Sequence, residues 1–215
     1  RRSCFVRIDM EGSHYTDATL DIFETVWRHG SRNAGVVLQS SLYRTEADFD
    51  RVNALGARIR LVKGAYREPK TVARQLESEV DAAYVHLSKR LLTDSPYPAI
   101  ATHDEHILQE IKRFAADRHI PPDRYEFQML YGIRRDFQES LAKQGYRVRV
   151  YIPYGSAWYP YLMRRMAEKP TNLLFFDRSG PTQDVWYYEH PLPNGRKNYT
   201  KTQPLQFEEF APCLA

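Results

Sequence analysis

The chain has 215 residues, of which 42% are hydrophobic and 27% charged, as in globular proteins and unlike disordered or fibrous ones. The formal net charge of +4 is modest and spread along the chain, so it indicates an anionic partner only weakly. The two cysteines, Cys4 and Cys213, lie at opposite ends, which indicates neither a disulfide framework nor a metal site.

No apolar run approaches the roughly 18 residues that cross a bilayer, and no signal peptide is recognised. We therefore expect a soluble protein of a reducing compartment. Because residue 1 leads directly into strand-like sequence, we interpret the chain as a piece of a longer protein.

Strand-like and helical patterns alternate along most of the chain. The predicted strands are residues 5–10, 35–40, 59–65, 99–103, 125–130 and 148–153, and the predicted helices are 17–29, 46–55, 72–92, 105–118, 134–144 and 157–168. Thr16 or Thr45 can cap a helix, and Asp104 or Asp136 can complement a helix dipole. Six strands, each followed by a helix, indicate βαβ units and a parallel sheet.

Polar residues at the strand ends favour a barrel over an open doubly wound sheet. No Gly-x-Gly-x-x-Gly motif follows the first strand, as a dinucleotide-binding fold would require. A (β/α)8 barrel instead places chemistry at the carboxyl ends of many strands at once. The chain does so with Asp9, Glu11, Gln39, residues 63–66, Thr102, His103, Asp104, Gln128, Tyr131, Tyr151 and Tyr154. Because only six strands are predicted, we expect an incomplete, TIM-like α/β barrel of six β/α units.

The third predicted strand carries two cations, Arg60 and Lys63, and ends in a glycine and a tyrosine, Gly64 and Tyr66. A buried cation is costly unless an anion meets it. Such a strand can offer charge, bare backbone and an aromatic face to a ligand. An edge strand with solvated charges is the alternative that the pattern leaves open.

Adjacent arginines in the last predicted helix form a second candidate site. Arg164 and Arg165 point about 100° apart on a helix and can both grip one carboxylate, although a solvated helix face would carry the same pair. His103 is a candidate acid or base, or a structural histidine. Asp9 and Glu11 form a candidate carboxylate pair. No nucleophile or metal motif accompanies them, which favours a bound cofactor that performs the chemistry.

The residue composition of the chain changes after residue 170. Residues 171–176 could form a seventh short strand, and 177–215 are rich in Pro, Gly, Asn, Lys and Tyr without helical period. Trp186, Tyr187 and Tyr188, followed by Asn194-Gly195, predict a hairpin. We therefore divide the chain into a partial barrel, residues 1–170, and an irregular extension, residues 171–215.

The barrel motifs together resemble the proline dehydrogenase family. They are RIDME at residues 7–11, GVVLQ at 35–39, RLVKGAY at 60–66, ATH at 101–103, EFQMLYG at 126–132, VYIPYG at 150–155 and RRMAE at 164–168. The resemblance implies a distorted (β/α)8 barrel that binds FAD and oxidises L-proline to Δ1-pyrroline-5-carboxylate. It also implies a quinone as electron acceptor, and hence a cytoplasmic protein with peripheral contact to the inner membrane.

The same resemblance implies roles for individual residues. Arg164 and Arg165 would hold the proline carboxylate, with Tyr151 and Leu130 shaping the pocket and Asp9 near substrate and flavin. Ala65 and Tyr66 would form a wall of the substrate site. The implied catalytic residues are Asp9, Arg60, Tyr151, Arg164 and Arg165.

For the cofactor, Arg60 would lie beside the flavin ring, where a cation favours the anionic reduced form. Contacts to the ring, ribityl or phosphate groups would come from Gln39, Val62, Lys63, Gly64, Thr102, His103 and Gln128. The sequence departs from the family in lacking its first two β/α units, which include a strand with an active-site lysine. We therefore expect little or no activity from this chain alone.

The extension resembles a different family. Residues 172–182, 185–193 and 199–202 look like a stretch of the modification (adenine-N6 methyltransferase) subunit of type I restriction systems, but lack its catalytic motif and its S-adenosylmethionine loop. The alternative function is thus a non-catalytic binding or structural fragment related to that subunit. An aromatic and basic stretch alone is a weak nucleic-acid signal, and no nucleic-acid partner is expected.

Overall fold

A computed structural model describes residues 4–152, 186–191 and 197–202. Contacts divide the chain into a unit formed by Phe5–Asp177 and a second unit that contains Arg178–Ala215. The first unit carries every β/α element described below. No helix of the described residues is long and apolar enough to cross a membrane.

The first unit is built on a six-stranded, curved parallel sheet whose strands follow one another in chain order. Each strand pairs in parallel with its neighbours in sequence, because a helix returns the chain to the starting edge between them. The incomplete barrel predicted from the sequence is confirmed. The strands are β1 (Val6–Ile8), β2 (Ala34–Gln39), β3 (Arg58–Val62), β4 (Ala99–Ala101), β5 (Glu126–Leu130) and β6 (Arg147–Tyr151).

Five helices cover one face of this sheet. They are α1 (Thr16–Arg28), α2 (Thr45–Asn53), α3 (Glu77–Asp94), α4 (Glu105–Asp117) and α5 (Arg135–Lys143). The core lies between these helices and every second strand residue, for example Ile59 and Leu61 of β3, which are 0% and 1% exposed. Truncating such a residue to alanine typically costs about 2–5 kcal/mol.

The remaining strand residues form the other face of the sheet, here called the inner face. Alternation along β3 places Arg58, Arg60 and Val62 there. The register then assigns their neighbours, because paired residues share a face. The inner face consists of Arg7, Gly35, Val37, Gln39, Arg58, Arg60, Val62, Ala99, Ala101, Glu126, Gln128, Leu130, Arg147, Arg149 and Tyr151.

The structure shortens several predicted elements, among them a strand and a helix around residues 63–76. Strand β3 ends at Val62 and not at residue 65, because Gly64 has φ +110° and turns the backbone out of the sheet. Helix α3 begins at Glu77 and not at residue 72. Ala73 is taken up instead by an antiparallel bridge to Leu42. The guanidinium of Arg74 also donates to the carbonyls of Ser40 and Leu42 at 2.9 and 3.0 Å.

The residues predicted to cap a helix or to complement its dipole differ in outcome. Asp104 caps α4, since its Oδ1 accepts from the backbone N–H groups of His106 and Ile107. Thr16 and Thr45 are the first residues of α1 and α2, and neither caps its helix. Thr45 Oγ1 instead donates to the carbonyl of Gln39, which fixes the start of α2 to the end of β2.

In the second unit, β7 (Trp186–Pro191) pairs with β8 (Lys197–Thr202) in antiparallel register. Trp186 lies opposite Thr202, and Pro191 lies opposite Lys197. This pairing confirms the hairpin that the sequence predicts. The predicted seventh strand at 171–176 and the predicted helix at 157–168 lie outside the described residues.

Candidate functional site at the carboxyl end of the sheet

The first part of the candidate site joins β1 to β3. Asp9 follows β1, and its Oδ1 lies 3.4 Å from Nη1 of Arg60 on the inner face of β3. The Arg60 side chain is 14% exposed, and its Nε is buried without a hydrogen-bond partner in the described residues. A buried guanidinium nitrogen without an acceptor is costly, so this position is well suited to an incoming electron-rich group.

Gln39 and Gly64 lie where β2 and β3 end. Gln39 is 4% exposed and its Nε2 donates to the carbonyl of Glu11 at 3.1 Å. Gly64 packs against the loop after β2, and a Cβ at this position would lie 2.4 Å from Ser41 Oγ. Only glycine therefore fits here, and it leaves the backbone after β3 open to close approach.

Lys63, directly after β3, is held by two carboxylates. Its Nζ lies 2.5 Å from Asp81 Oδ1 of α3 and 3.3 Å from Asp104 Oδ2 at the start of α4. Burial alone would raise the pKa of Asp104, but the helix N–H groups and Lys63 outweigh it and lower the pKa. Lys63 is thus a cation at the rim of the site whose position is fixed and whose charge is partly balanced by two carboxylates.

Thr102 and His103 follow β4, and backbone groups orient both side chains. Thr102 Oγ1 accepts from the N–H of Asp104 at 3.1 Å, so its hydroxyl proton points elsewhere. His103 Nε2 accepts from the N–H of Leu130 at 2.8 Å. A ring nitrogen that accepts carries no proton, so the neutral His103 carries its proton on Nδ1.

Glu126, in β5, is the buried anion of the inner face. It is 3% exposed, and Arg149 of β6 binds it through two hydrogen bonds of 2.8 and 2.9 Å. Its other partners are the Tyr97 hydroxyl at 3.2 Å and Nε2 of Gln128. Burial alone would raise the pKa of Glu126, yet the contacts with Arg149 and Gln128 and the nearby Arg7 lower it.

Around Arg7 and Arg58 the inner face is strongly basic. Arg7 donates to the carbonyl of Arg58 at 3.1 Å, and burial together with the neighbouring Arg60 lowers the pKa of Arg7 to about 10. The guanidinium of Arg58 lies 5.0 Å from the ring centres of both Phe5 and Tyr97. Aromatic faces stabilise part of this charge, and Glu126 compensates another part.

The residues implied to bind substrate lie at the outer rim. Leu130 and Tyr151 are opposite each other in the β5–β6 pairing, and Tyr151 is 37% exposed. Ala65 and Tyr66 lie in the loop after β3, where the Tyr66 hydroxyl donates to Glu11. The predicted carboxylate clamp, Arg164 and Arg165, lies outside the described residues.

The structure therefore brings most of the predicted positions to one end of one sheet. Sequence reasoning missed Glu126 and its partner Arg149. The available signal was the period of two in β5 and β6, which places Glu126, Gln128, Arg147 and Arg149 on one face. No group of three or more His, Cys, Asp or Glu residues in the described part of the chain could hold a metal ion.

Comparison with solved structures shows a similar architecture in larger proteins. Proline utilization A from Bdellovibrio bacteriovorus, inactivated by N-propargylglycine, matches with a TM-score of 0.70 and 25% identity, over 87% of this chain and 25% of that one. A mutant of proline utilization A from Bradyrhizobium japonicum matches with a TM-score of 0.70 and 26% identity, over 81% of this chain and 20% of that one.

Sequence comparison finds relatives that are named proline dehydrogenases. Proline dehydrogenase of Deinococcus radiodurans is 49% identical over 172 residues, which are 80% of this chain and 56% of the relative. Proline dehydrogenase 2 of Bacillus subtilis (strain 168) is 45% identical over 175 residues, which are 81% of this chain and 57% of the relative. The chain thus spans about half the length of these curated relatives.

A short segment matches a second kind of protein. The methylase subunit of the Escherichia coli type I restriction enzyme EcoEI is 62% identical over 40 residues, which are 19% of this chain and 8% of that subunit. The larger match runs through the whole sheet, since the profile of the proline dehydrogenase family covers residues 1–178. Because that profile covers well over half of the chain, including all six strands of the sheet, the chain belongs to the proline dehydrogenase family.

Proposed function

We propose that this chain forms the flavin-binding part of an enzyme that oxidises L-proline to Δ1-pyrroline-5-carboxylate. The observation that supports this most directly is the polar cluster at the carboxyl end of the sheet, in a chain that is 49% identical to a proline dehydrogenase. The cluster contains cations, oriented amides and a histidine, but no metal-ligand group within the described residues. Such a set binds and orients a redox cofactor, which itself performs the oxidation.

The residues at this end of the sheet suit FAD. The partnerless Nε of Arg60 offers a buried donor and a positive charge to an electron-rich ring. The glycine at position 64 allows a flat group to approach the backbone after β3. Lys63, Thr102 and His103 offer further donors to polar groups of the cofactor. When bound, FAD would accept two electrons from the substrate.

For the substrate, we propose that Arg164 and Arg165 bind the proline carboxylate through forked hydrogen bonds. Leu130 and Tyr151 would pack against the ring, and Asp9 would lie beside it. Ala65 and Tyr66 would close one wall. Oxidation removes two electrons and two protons from proline to form the C=N bond, and a quinone would take up both.

The proposed quinone acceptor also bears on the cellular location of the protein. Quinones dissolve in the bilayer, so we propose a cytoplasmic protein with peripheral contact to the inner membrane. The relatives are nearly twice as long as the matched stretch, and we propose that catalytic turnover needs the remainder of the barrel.

Flavin uptake by the purified chain tests the cofactor assignment. We expect added FAD to bind, with a shifted visible absorption band and quenched fluorescence. Arg60→Met should weaken binding, whereas Arg124→Met, at an exposed turn before β5, should not. A chain that cannot take up FAD would instead favour the non-catalytic fragment related to the restriction methylase subunit, to which 40 residues are 62% identical.

The carboxylate clamp has its own test in a protein with a complete barrel. Arg165→Lys should raise KM for proline strongly and leave the FAD content unchanged, because an ammonium group cannot reproduce the planar fork of a guanidinium. The exposed Arg135 of α5, changed to lysine, serves as the matched control. An unchanged KM in the Arg165→Lys protein would refute the clamp.

A further inference from the structure

Two buried glutamines of the inner face, Gln39 and Gln128, are bound in the same way. Nε2 of Gln39 donates to the carbonyl of Glu11 at 3.1 Å, and Nε2 of Gln128 donates to the carboxylate of Glu126. Neither acceptor has a hydrogen to donate, so in each amide the NH₂ group must face the protein. The carbonyl oxygen Oε1 is therefore the end that remains for a ligand, and no hydrogen bond from the described residues reaches it.

The charge of Glu126 decides the orientation of Gln128. A protonated carboxyl could donate to Oε1 and so reverse the amide, whereas a carboxylate can only accept. Arg149 binds both oxygens of Glu126 and keeps it ionised despite its burial. The pKa of Glu126 is accordingly lowered.

We infer that Glu126 is a positioning residue that holds the Gln128 amide so that Oε1 accepts a hydrogen bond from an N–H or O–H group of the bound ligand. The identity of that ligand rests on the proposed function. In the flavin half of FAD, the donors of this kind are the N–H group of the isoalloxazine ring and the hydroxyl groups of the ribityl chain. Gln39 offers a second acceptor of the same polarity from β2.

The orientation of the amide can be measured in the full chain without any cofactor. In side-chain amide NMR spectra, a Gln128 N–H proton bound to a carboxylate should lie downfield and exchange slowly with water. Glu126→Gln should abolish both properties. The amide of Gln138, which donates to the backbone carbonyls of Leu130 and Ile133, is the internal control and should not change.

The consequence for binding is measured by titration with FAD. Glu126→Gln should weaken FAD binding about tenfold, the effect of roughly one lost hydrogen bond. Arg149, which loses its partner in this variant, is 62% exposed and can be solvated. Glu110→Gln, which removes an exposed carboxylate paired with Lys89 on the helix side, should leave binding unchanged.

A swap of the two side chains separates positioning from a merely structural role. In Glu126→Gln/Gln128→Glu, the new amide can donate to the new carboxylate, whose second oxygen again accepts from the ligand. Arg149 lies opposite position 128 in the β5–β6 register and keeps an anionic partner. FAD affinity should therefore return to within about threefold of the wild type.

Each outcome decides the inference. Unchanged Gln128 amide signals in Glu126→Gln, equal FAD affinity in that variant, or a swap that restores nothing would each overturn it. If the wild type does not bind FAD, the proposed function fails and the NMR comparison alone decides the role of Glu126. If Glu126→Gln does not fold, Gln128→Met tests the acceptor instead, and FAD affinity equal to that of the wild type would overturn the inference.

Discussion

Single residues on the inner face carry charges that the fold must compensate. Glu126 is 3% exposed and binds Arg149 of the neighbouring strand through both oxygens. Only the Glu126 half of this ion pair is buried, because the Arg149 side chain is 62% exposed, so the pair adds little net stability. Protonation of Glu126 would break the pair, and this makes stability depend on pH.

We predict that acid weakens the protein through Glu126. Its pKa is lowered in the folded protein from an ordinary value of 4.5, so the unfolded chain binds this proton more readily. The contribution of this ionisation to the free energy of unfolding is complete above pH 4.5. It is lost as the pH falls through the lowered pKa of Glu126 in the folded protein. Urea unfolding of the wild type should therefore depend more steeply on pH below 4.5 than that of Glu126→Gln. Parallel pH profiles would contradict this assignment.

A second prediction concerns Gly64. Replacement by alanine places a Cβ against Ser41 and forces a side chain onto φ +110°, which together should cost about 2–3 kcal/mol. Gly145 has φ +88° with nothing within 4 Å of its would-be Cβ, so Gly145→Ala should cost only about 1 kcal/mol. The difference in the free energy of unfolding isolates the steric part. Equal losses would show that Ser41 moves aside.

At the scale of elements, the loop between β3 and α3 is tied to the segment after β1. Glu68 Oε1 accepts from the Ser13 backbone N–H at 2.7 Å, and Oε2 accepts from the Ser13 hydroxyl at 2.6 Å. These two bonds lower the pKa of Glu68. Together with the contact between Tyr66 and Glu11, they hold the loop that carries the predicted wall of the substrate site.

Removing this connection should free the loop. We predict that trypsin cleaves Glu68→Ala after Arg67 or Lys70 about fivefold faster than the wild type, because roughly 1 kcal/mol of hydrogen bonding no longer opposes local opening. Glu79→Ala, at an exposed position near the start of α3, should be cleaved at the wild-type rate. Equal cleavage of all three proteins would show that the bonds to Ser13 do not restrain the loop.

Sequence patterns predicted the elements better than their ends. The six strands and their order follow from apolar runs and the alternation of strand with helix, which are local signals. The start of α3 does not, because Ala73 pairs with Leu42 and Arg74 reaches carbonyls more than 30 residues away. Likewise the sequence indicated charged strand ends, but the partners Asp81 and Asp104 of Lys63 come from two helices that only the fold brings together.

At the scale of the whole molecule, β1 and β6 each pair with one strand only within the described sheet. A barrel of this type closes with eight strands, so within the described residues both edges of the sheet are unpaired. Unpaired edges of parallel strands favour association with other chains. The basic inner face around Arg7 and Arg58 opposes association with a second copy through that face.

We therefore predict that this chain alone turns over proline weakly or not at all, even where it binds FAD. Dye-linked oxidation of proline by the purified monomer should stay far below about 1–10 s⁻¹, a rate typical of enzymes. A relative with all eight strands, measured under the same conditions, provides the reference rate. Turnover at that reference rate by the monomer would show that six β/α units suffice.

The last prediction concerns the C-terminal unit. Deletion of residues 177–215 should change solubility or the melting temperature and leave FAD affinity nearly the same, because the predicted cofactor residues all lie in the first unit. Aromatic residues in succession, such as Trp186, Tyr187 and Tyr188, seldom remain in water on a monomer. A shortened protein that keeps its melting temperature but loses FAD would contradict this view.

The unbroken strand order also bears on how the chain is assembled. Each new strand pairs with the strand made immediately before it, so every β/α unit can dock as soon as it leaves the ribosome. Within the described sheet each strand is then stabilised mainly by its neighbours, as in repeat arrays, and this stabilisation is weakest for β1 and β6, which have one neighbour each there. Backbone amides of β3 and β4 should consequently exchange with deuterium most slowly, and those of β1 and β6 should exchange earliest.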